Sequence, residues 1–269
     1  MASTPKPGRD QAMGAGRLDG EVAIITGATS GLGREIARVF ALEGAKVVLS
    51  GRDAGRGAAV TERVRADGGD ATFVGADLAA EADCVALVRE TVDRFGGVTV
   101  LVNNAVAVAS DGPVEKADAA AWVTAYKVNL LAPALLCREA IPHMREAGHG
   151  SIVNISSRVA ERGTPNYAAY TGTKGGLNAL ALSISADYGR EGIRCNTVQP
   201  GYVLNAERDA GLSAERTARL RAMHLTRMTT ATDVAMAALF LASRESEVIT
   251  GEVLHVDSGS TVVRAASLG

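Results

Sequence analysis

Aromatic residues make up only 4% of the 269-residue chain, with a single tryptophan, so a core drawn from its 47% hydrophobic composition must be aliphatic. Cysteine is sparse as well. Cys84, Cys137 and Cys195 are odd in number, widely spaced and form no CxxC pair, which argues against a disulfide scaffold or a zinc site. His143, His149, His224 and His255 have no metal-ligand spacing either, and no metal is expected. An excess of one charge is also missing: 28 basic and 30 acidic residues are interspersed for a net charge of -2, which leaves no footprint for nucleic acid or an anionic membrane. The most apolar runs, 128–137 and 234–242, are too short to cross a bilayer and suit buried helices. Residues 1–16 hold Pro5, Pro7 and three glycines without an apolar run, and read as a disordered leader and not a signal peptide. These absences together point to a soluble cytoplasmic protein whose partner is a small molecule.

What is present is a regular alternation. Short β-branched or aliphatic runs at 22–26, 46–50, 71–75, 99–103, 151–156, 194–200 and 253–257 are separated by longer helical patterns. Strands that alternate with helices need crossover connections, and continuous apolar runs such as AIIT and TVLVN fit strands buried on both faces. The expectation is an α/β fold: one doubly wound, Rossmann-type domain over 17–269 with a mostly parallel seven-stranded sheet.

Two stretches carry chemistry. The first strand runs into Thr26-Gly27-Ala28-Thr29-Ser30-Gly31-Leu32-Gly33 and then a helical pattern. A strand, a glycine-rich turn and a helix in that order form a phosphate site, because bare backbone amides and the helix N-terminus both face an anion. The glycines fall as GxxxGxG and not as the commoner GxGxxG. The second stretch, Ser157 through Lys174, supplies a hydroxyl, a phenol and an amine. On a helix, Tyr170 and Lys174 lie one turn apart on one face, and a nearby ammonium is expected to lower the phenol pKa from its ordinary value of about 10.

With TGATSGLG at 26–33, Asp77-Leu78, Asn103-Asn104-Ala105, Asn129, Ser157, the Tyr170 and Lys174 pair, Pro200-Gly201 and Thr250-Gly251 through Asp257 in this order, the chain resembles the short-chain dehydrogenase/reductase family, in its shorter single-domain branch, over residues 18–261. The resemblance implies that Gly27, Ser30, Gly31, Leu32 and Gly33 approach a cofactor pyrophosphate, that Asp77 and Leu78 border the adenine, and that Asn104 lies near the nicotinamide ribose. Asp77 has a second reading as the N-cap of the following helix. Pro200, Gly201 and Val203 would border the nicotinamide carboxamide. Ser157, thirteen residues before Tyr170 as in similar sequences, would be the catalytic serine, with Ser156 pointing to the opposite face. Tyr170 would transfer the proton, Lys174 would lower its pKa and bind the nicotinamide ribose, and Asn129 would hold a water in a proton relay. Asn129 also has the plainer reading of a local backbone hydrogen bond. Tyr167 lacks a lysine four residues on, since Thr171 stands there, and is expected to line the substrate pocket at most.

The implied function is hydride transfer between NAD(P)(H) and a carbonyl or secondary alcohol. NADP(H) is favoured over NAD(H), because Gly51 occupies the place of the carboxylate that binds unphosphorylated ribose and Arg52 follows with a guanidinium suited to a phosphate. Asp53 remains open, either as a ribose ligand or as a helix N-cap. Departures from the family pattern are Val106 in place of the glycine of NNAG, Asn205 in place of a threonine, and Asp257-Ser258-Gly259 in place of DGG. Residues 202–228, with Arg208, Arg216, Arg219 and Arg221, read as a lid whose arginines are mainly solvated. Helices around 128–144 and 175–188 resemble those through which the family pairs, so a homotetramer or homodimer is expected. The alternatives are a non-catalytic dinucleotide sensor on the same fold and a serine hydrolase, the latter without a GxSxG elbow.

Overall fold

In the first strand, β1 (Val22–Thr26), Ile24 and Ile25 are adjacent, fully buried and on opposite faces, and the two halves of the core follow from that alternation. The computed structural model describes residues 16–108 and 112–262; residues 1–15 of the expected leader and the last residues, 263–269, lie outside the described residues. The remaining strands are β2 (Lys46–Gly51), β3 (Asp70–Gly75), β4 (Val100–Asn103), β5 (Gly150–Ile155), β6 (Ile193–Pro200) and β7 (Val253–Val256). They form one sheet in the order β3-β2-β1-β4-β5-β6-β7, and every neighbouring pair is parallel, so the expected mostly parallel sheet is parallel throughout. Strand boundaries differ from the sequence reading by at most one residue at either end.

The helices are α1 (Gly31–Leu42), α2 (Ala54–Ala66), α3 (Glu81–Phe95), α4 (Ala119–Tyr126), α5 (Ala132–Ala147), α6 (Ala168–Tyr188), α7 (Ala206–Asp209), α8 (Ala214–Ala222) and α9 (Ala231–Ala242). On one face of the sheet, Ile25, Leu49, Val102, Val153 and Val198 pack against Ile36 and Phe40 of α1 and Val234 and Leu239 of α9. On the other, Ile24, Val48, Leu101, Ile152 and Cys195 pack against Leu87 of α3, Leu136 and Met144 of α5 and Ile184 of α6. Helices on both faces leave only the strand ends to bind a ligand. The order reverses between β1 and β4, and the C-terminal ends of those strands open a crevice there.

Local signals place the helices. Asp53 caps α2, accepting from the Arg56 N–H at 2.9 Å, which decides the open reading of this aspartate in favour of the cap. Thr230 and Asp233 form a reciprocal capping box at the start of α9. Asp77 does not cap α3, whose N-cap is Ala80. Between α4 and α5 the chain forms a π turn over Lys127–Leu131, so Ala119–Ala147 is one continuous helix of 29 residues. By length and composition it could cross a membrane, which corrects the expectation that no such stretch exists; here its α5 part packs on the sheet and α3. The shorter run read from sequence ended where charged residues of α5 begin, although the helix itself continues.

All three cysteines are buried and free, and they lie on the α3/α5/α6 side of the sheet. Burial pushes the Cys84 thiol up to about 11 and the Cys137 thiol up to about 12, so neither offers a thiolate at neutral pH. Among the described residues there is no group of three potential metal ligands.

Candidate active site

The glycine turn is held from the neighbouring strand. The Thr26 hydroxyl accepts from the N–H groups of Asn104 and Ala105 at 2.9 and 3.0 Å and donates to the Val102 carbonyl at 3.2 Å. The Asn104 amide nitrogen donates in turn to the Thr26 and Gly27 carbonyls at 2.9 and 3.2 Å. This crowding requires glycine at two positions. A Cβ on Gly27, whose φ is +64°, would sit 2.8 Å from the Ala105 Cα, and one on Gly33 would sit 2.4 Å from both the Asn104 amide nitrogen and the Gly27 carbonyl oxygen. Ser30 precedes α1 without any side-chain cap bond, and no acidic residue stands in the first turn of that helix. Its N-terminal amides are therefore available to an anion.

Around this turn lies a cavity of about 620 Å³, lined by Gly27, Thr29 to Gly33, Gly51, Arg52, Arg56, Asp77 and Leu78. Every residue assigned to the pyrophosphate and adenine end faces it. Asp77 receives the Ala79 N–H on its carboxylate at 3.2 Å and gives its own N–H to Asp83 at 2.7 Å. Arg56 is engaged by Asp53, with Nε 2.8 Å from the carboxylate, while Arg52 makes no hydrogen bond or ion pair among the described residues. The uncapped helix end, the steric need for bare glycines and a free guanidinium fit a phosphorylated dinucleotide.

A second cavity of about 760 Å³ adjoins the first, sharing Gly31, Leu32, Asn104 and Val106 with it. Ser157, Tyr170, Lys174, Pro200, Gly201 and Val203 all line it, so the fold brings together the residues that the sequence separates by up to 46 positions, 203 minus 157. Ser157 ends the β5 segment and caps a short helical turn, Arg158–Ala160, with its hydroxyl accepting from the Val159 N–H at 3.4 Å. Ser156 is buried, and its hydroxyl donates to the Lys174 carbonyl at 3.3 Å. Tyr167 also lines the cavity, edge-on to Tyr170 with ring centroids 6.4 Å apart.

Electrostatics depart from the sequence expectation. Burial raises the Tyr170 pKa, a hydrogen bond with Ser157 works against that rise, and Lys174 makes no contribution to it. The reason is where the lysine points: its Nζ donates to the Ile155 carbonyl at 2.6 Å and lies 5.8 Å from the centre of the Tyr170 ring. Desolvation brings Lys174 down to about 8. The phenol is therefore a protonated donor at neutral pH, and Lys174 does not act on it across a direct contact.

Asn129 is fully buried in the π turn. Its side chain accepts from the Ala107 N–H at 2.7 Å and donates to the Ala107 carbonyl at 3.0 Å and the Thr173 hydroxyl at 3.1 Å. Thr173 sits between Tyr170 and Lys174 and donates to the Tyr170 carbonyl at 2.9 Å. The asparagine side chain thus ties the 104–108 segment to α6, a structural role that the relay reading did not include.

Sequence reasoning missed the parts played by Ile155 and Thr173, and it noted Asn205 only as a replacement for a threonine. Ile155 acts through a backbone carbonyl, which leaves no residue-type signal. Thr173 was hidden inside the Tyr170 to Lys174 spacing. Asn205 caps α7 with its side chain and reaches back across the cleft, where its amide nitrogen would lie 3.6 Å from a Cβ on Gly31.

Comparison with known proteins agrees with this geometry. A family model described as enoyl-(acyl carrier protein) reductase matches residues 27–261. Cis-4-hydroxycyclohexanecarboxylate dehydrogenase of Sinomonas cyclohexanicum is 37% identical over 90% of this chain and 97% of its own. L-fucose dehydrogenase of Oryctolagus cuniculus is 36% identical over 91% and 86%. The crystal structure of a gluconate 5-dehydrogenase from Burkholderia cenocepacia, in complex with NADP and tartrate, superposes with a TM-score of 0.85 at 33% identity, covering 92% of this chain and 98% of that one. The chain accordingly belongs to the short-chain dehydrogenase/reductase family and is a nicotinamide-dependent oxidoreductase acting on CH-OH donors.

Proposed function

We propose that the protein interconverts a secondary alcohol and its ketone through Ser157, Tyr170 and Lys174, with NADP(H) preferred. The observation that carries this reading is that the three side chains line one cavity continuous with the glycine-turn cavity. The dinucleotide, when bound, supplies or accepts the hydride. Gly27, Ser30, Gly31, Leu32 and Gly33 would hold its pyrophosphate, Asp77 and Leu78 its adenine, Asn104 and Lys174 its nicotinamide ribose, and Pro200, Gly201 and Val203 its carboxamide. In reduction Tyr170 gives its phenolic proton to the carbonyl oxygen, a proton it holds at neutral pH although burial makes it a weaker acid. Ser157 donates a hydrogen bond to the oxygen as negative charge develops there. Asn129 fixes the wall beside Tyr170 through Ala107 and Thr173, in addition to its place in the proton relay implied by the family resemblance. Arg52 would receive the 2′-phosphate, a reading supported by its lack of a hydrogen-bond or ion-pair partner among the described residues.

The related proteins named above act on hydroxylated acids and sugars by their names, which supports an alcohol substrate over an enoyl thioester. Exposed Trp122, Val123, Tyr126 and Leu182 on α4 and α6 support pairing of two copies, as a homodimer or within a homotetramer. A monomeric mass by light scattering would remove that reading. Three buried thiols suit a reducing, cytoplasmic compartment.

The test is a panel of ketones and alcohols with both cofactors, followed by the absorbance of the reduced nicotinamide, in wild type and Tyr170→Phe. Turnover in the wild type and a loss on the order of a hundredfold or more in the variant, with cofactor binding retained, are expected. Substantial residual kcat in Tyr170→Phe would sink the assignment.

A further inference from the structure

The larger cavity carries an imbalance of charge that the hydride chemistry does not use. Six charged residues line it: Arg34, Glu35, Arg158, Lys174, Arg208 and Arg216. The carboxylate of Glu35 is taken up by Arg38, at 3.0 Å, and by the Thr232 hydroxyl, at 2.9 Å. Arg208 is satisfied by Asp209 at 2.7 Å, by the Val203 carbonyl at 2.7 Å and by stacking over the Tyr202 ring. Lys174 is committed to Ile155. That leaves Arg34, Arg158 and Arg216, whose side chains make no hydrogen bond or ion pair among the described residues.

Their positions divide them. Arg34 is in the first turn of α1, directly after Gly33, and belongs with the phosphate end. Arg158 follows Ser157 in sequence and shares its wall with Val159, Thr164 and Tyr167, all from the segment between β5 and α6. That wall lies on the reacting side and includes no part of the glycine turn. Arg216 enters from α8, in the segment that covers the cleft, whereas its neighbour Arg219 pairs with Glu215 in solvent. A half-buried guanidinium on the same cavity wall as Ser157, with no carboxylate partner among the described residues, gives up hydration in return for nothing until an anion arrives.

We propose that the substrate carries a carboxylate, which Arg158 binds through its planar fork while Arg216 adds charge from the lid. The inference rests on the reading of the site as a ketone/alcohol centre, and it makes the substrate class a hydroxy acid and its oxo acid. The carboxylate takes no part in the hydride step; it fixes which carbonyl reaches Ser157 and Tyr170.

The experiment compares kcat/KM for 4-oxopentanoate, 5-oxohexanoate and 3-oxocyclohexanecarboxylate with that for the methyl ester of each. The proteins are wild type, Arg158→Gln, Arg158→Lys and Arg216→Gln. At least one acid should exceed its ester by about tenfold or more in wild type, the scale of a charge-assisted hydrogen bond. The ratio should collapse toward one in Arg158→Gln, mainly through KM, recover partly in Arg158→Lys and fall to a lesser degree in Arg216→Gln. Esters that match or beat the acids, or an acid-to-ester ratio unchanged in Arg158→Gln, would overturn the proposal. A second measurement needs no turnover: cyclohexanecarboxylate should raise the Tm of the wild type, cyclohexanecarboxamide should not, and Arg158→Gln should lose the difference. If no carbonyl is reduced with either cofactor but that difference is present, the redox reading fails and the anion site stands; if the acid and the amide act alike, the anion site falls whatever the kinetics show.

Discussion

The Lys174 ammonium donates to the Ile155 carbonyl oxygen at 2.6 Å and is almost sealed from solvent. Burial holds its pKa down to about 8, against an ordinary 10.5. Below pH 8 both the folded and the unfolded chain carry the proton, and the fold bears the full cost of desolvating the charge. Between about 8 and 10.5 the unfolded chain binds the proton and the folded one does not, so stability rises with pH across that window. Denaturant unfolding of wild type and Lys174→Met at pH 7 and pH 10 checks this. Wild type should gain relative to the variant at the higher pH; a constant difference would mean that the lysine is not buried in its charged form.

On the proposed reading, Arg52 sets the cofactor preference. Arg52→Ala should weaken NADP(H) selectively, by roughly 1.5 to 3 kcal/mol in kcat/KM, the range for a hydrogen bond to a charged group. Because Asp53 is engaged as the α2 cap and by Arg56, it should not confer NAD(H) preference. An NAD(H)-preferring wild type, or equal losses for both cofactors, would remove Arg52 from the site.

Val106 is 46% exposed and lines both cavities, at the junction where similar proteins keep glycine. Val106→Gly should broaden the range of accepted ketones toward bulkier ones. Relative kcat/KM values that stay the same for small and bulky substrates would show that the side chain does not limit the pocket.

At the opposite, N-terminal end of the strands, His149 lies 3.1 Å from the Glu21 carboxylate and joins the starts of β5 and β1. The Glu21 hydrogen bond raises the His149 pKa, and the stability this adds is complete below about pH 6.5 and lost as pH climbs through the raised value. Burial pushes Glu21 up, but its bonds to His149 and Thr99 outweigh that and leave it lowered, so its share is lost only as pH falls through that lowered value. His149→Leu should therefore cost more Tm at pH 6 than at pH 8.5. An equal cost at both would reduce the pair to packing.

Much of this was legible in the chain. Strand positions, the parallel sheet and the residues of the glycine turn follow from apolar runs and from spacing, because those signals are local and repeat along the sequence. The Ser157, Tyr170 and Lys174 group was legible for the same reason, two of its members being one helical turn apart. What was not legible depends on directions in space. Lysine and tyrosine one turn apart suggested a direct electrostatic effect, yet the ammonium turns to a carbonyl of β5 and leaves the phenol to its burial. Asn129 looked like a water ligand, and only the fold reveals that Ala107 uses both ends of its amide. That Arg158 has no partner among the described residues could not be read at all, since it depends on where the nearby carboxylates have gone.

The fit of the Asn104 amide into the space left by the missing side chain of Gly33 has an evolutionary consequence. The two positions form a lock in which one residue's absence is the other's seat. Gly33→Ala would evict the amide and so release Thr26 and Gly27, and even beside a shortened residue 104 the same alanine would still meet the Gly27 carbonyl oxygen at 2.4 Å. Substitutions here should be strongly non-additive, with the double change milder than the sum of its parts. The glycine is held twice, by a side-chain amide and by a backbone carbonyl, so a change at residue 104 alone does not free position 33 to vary.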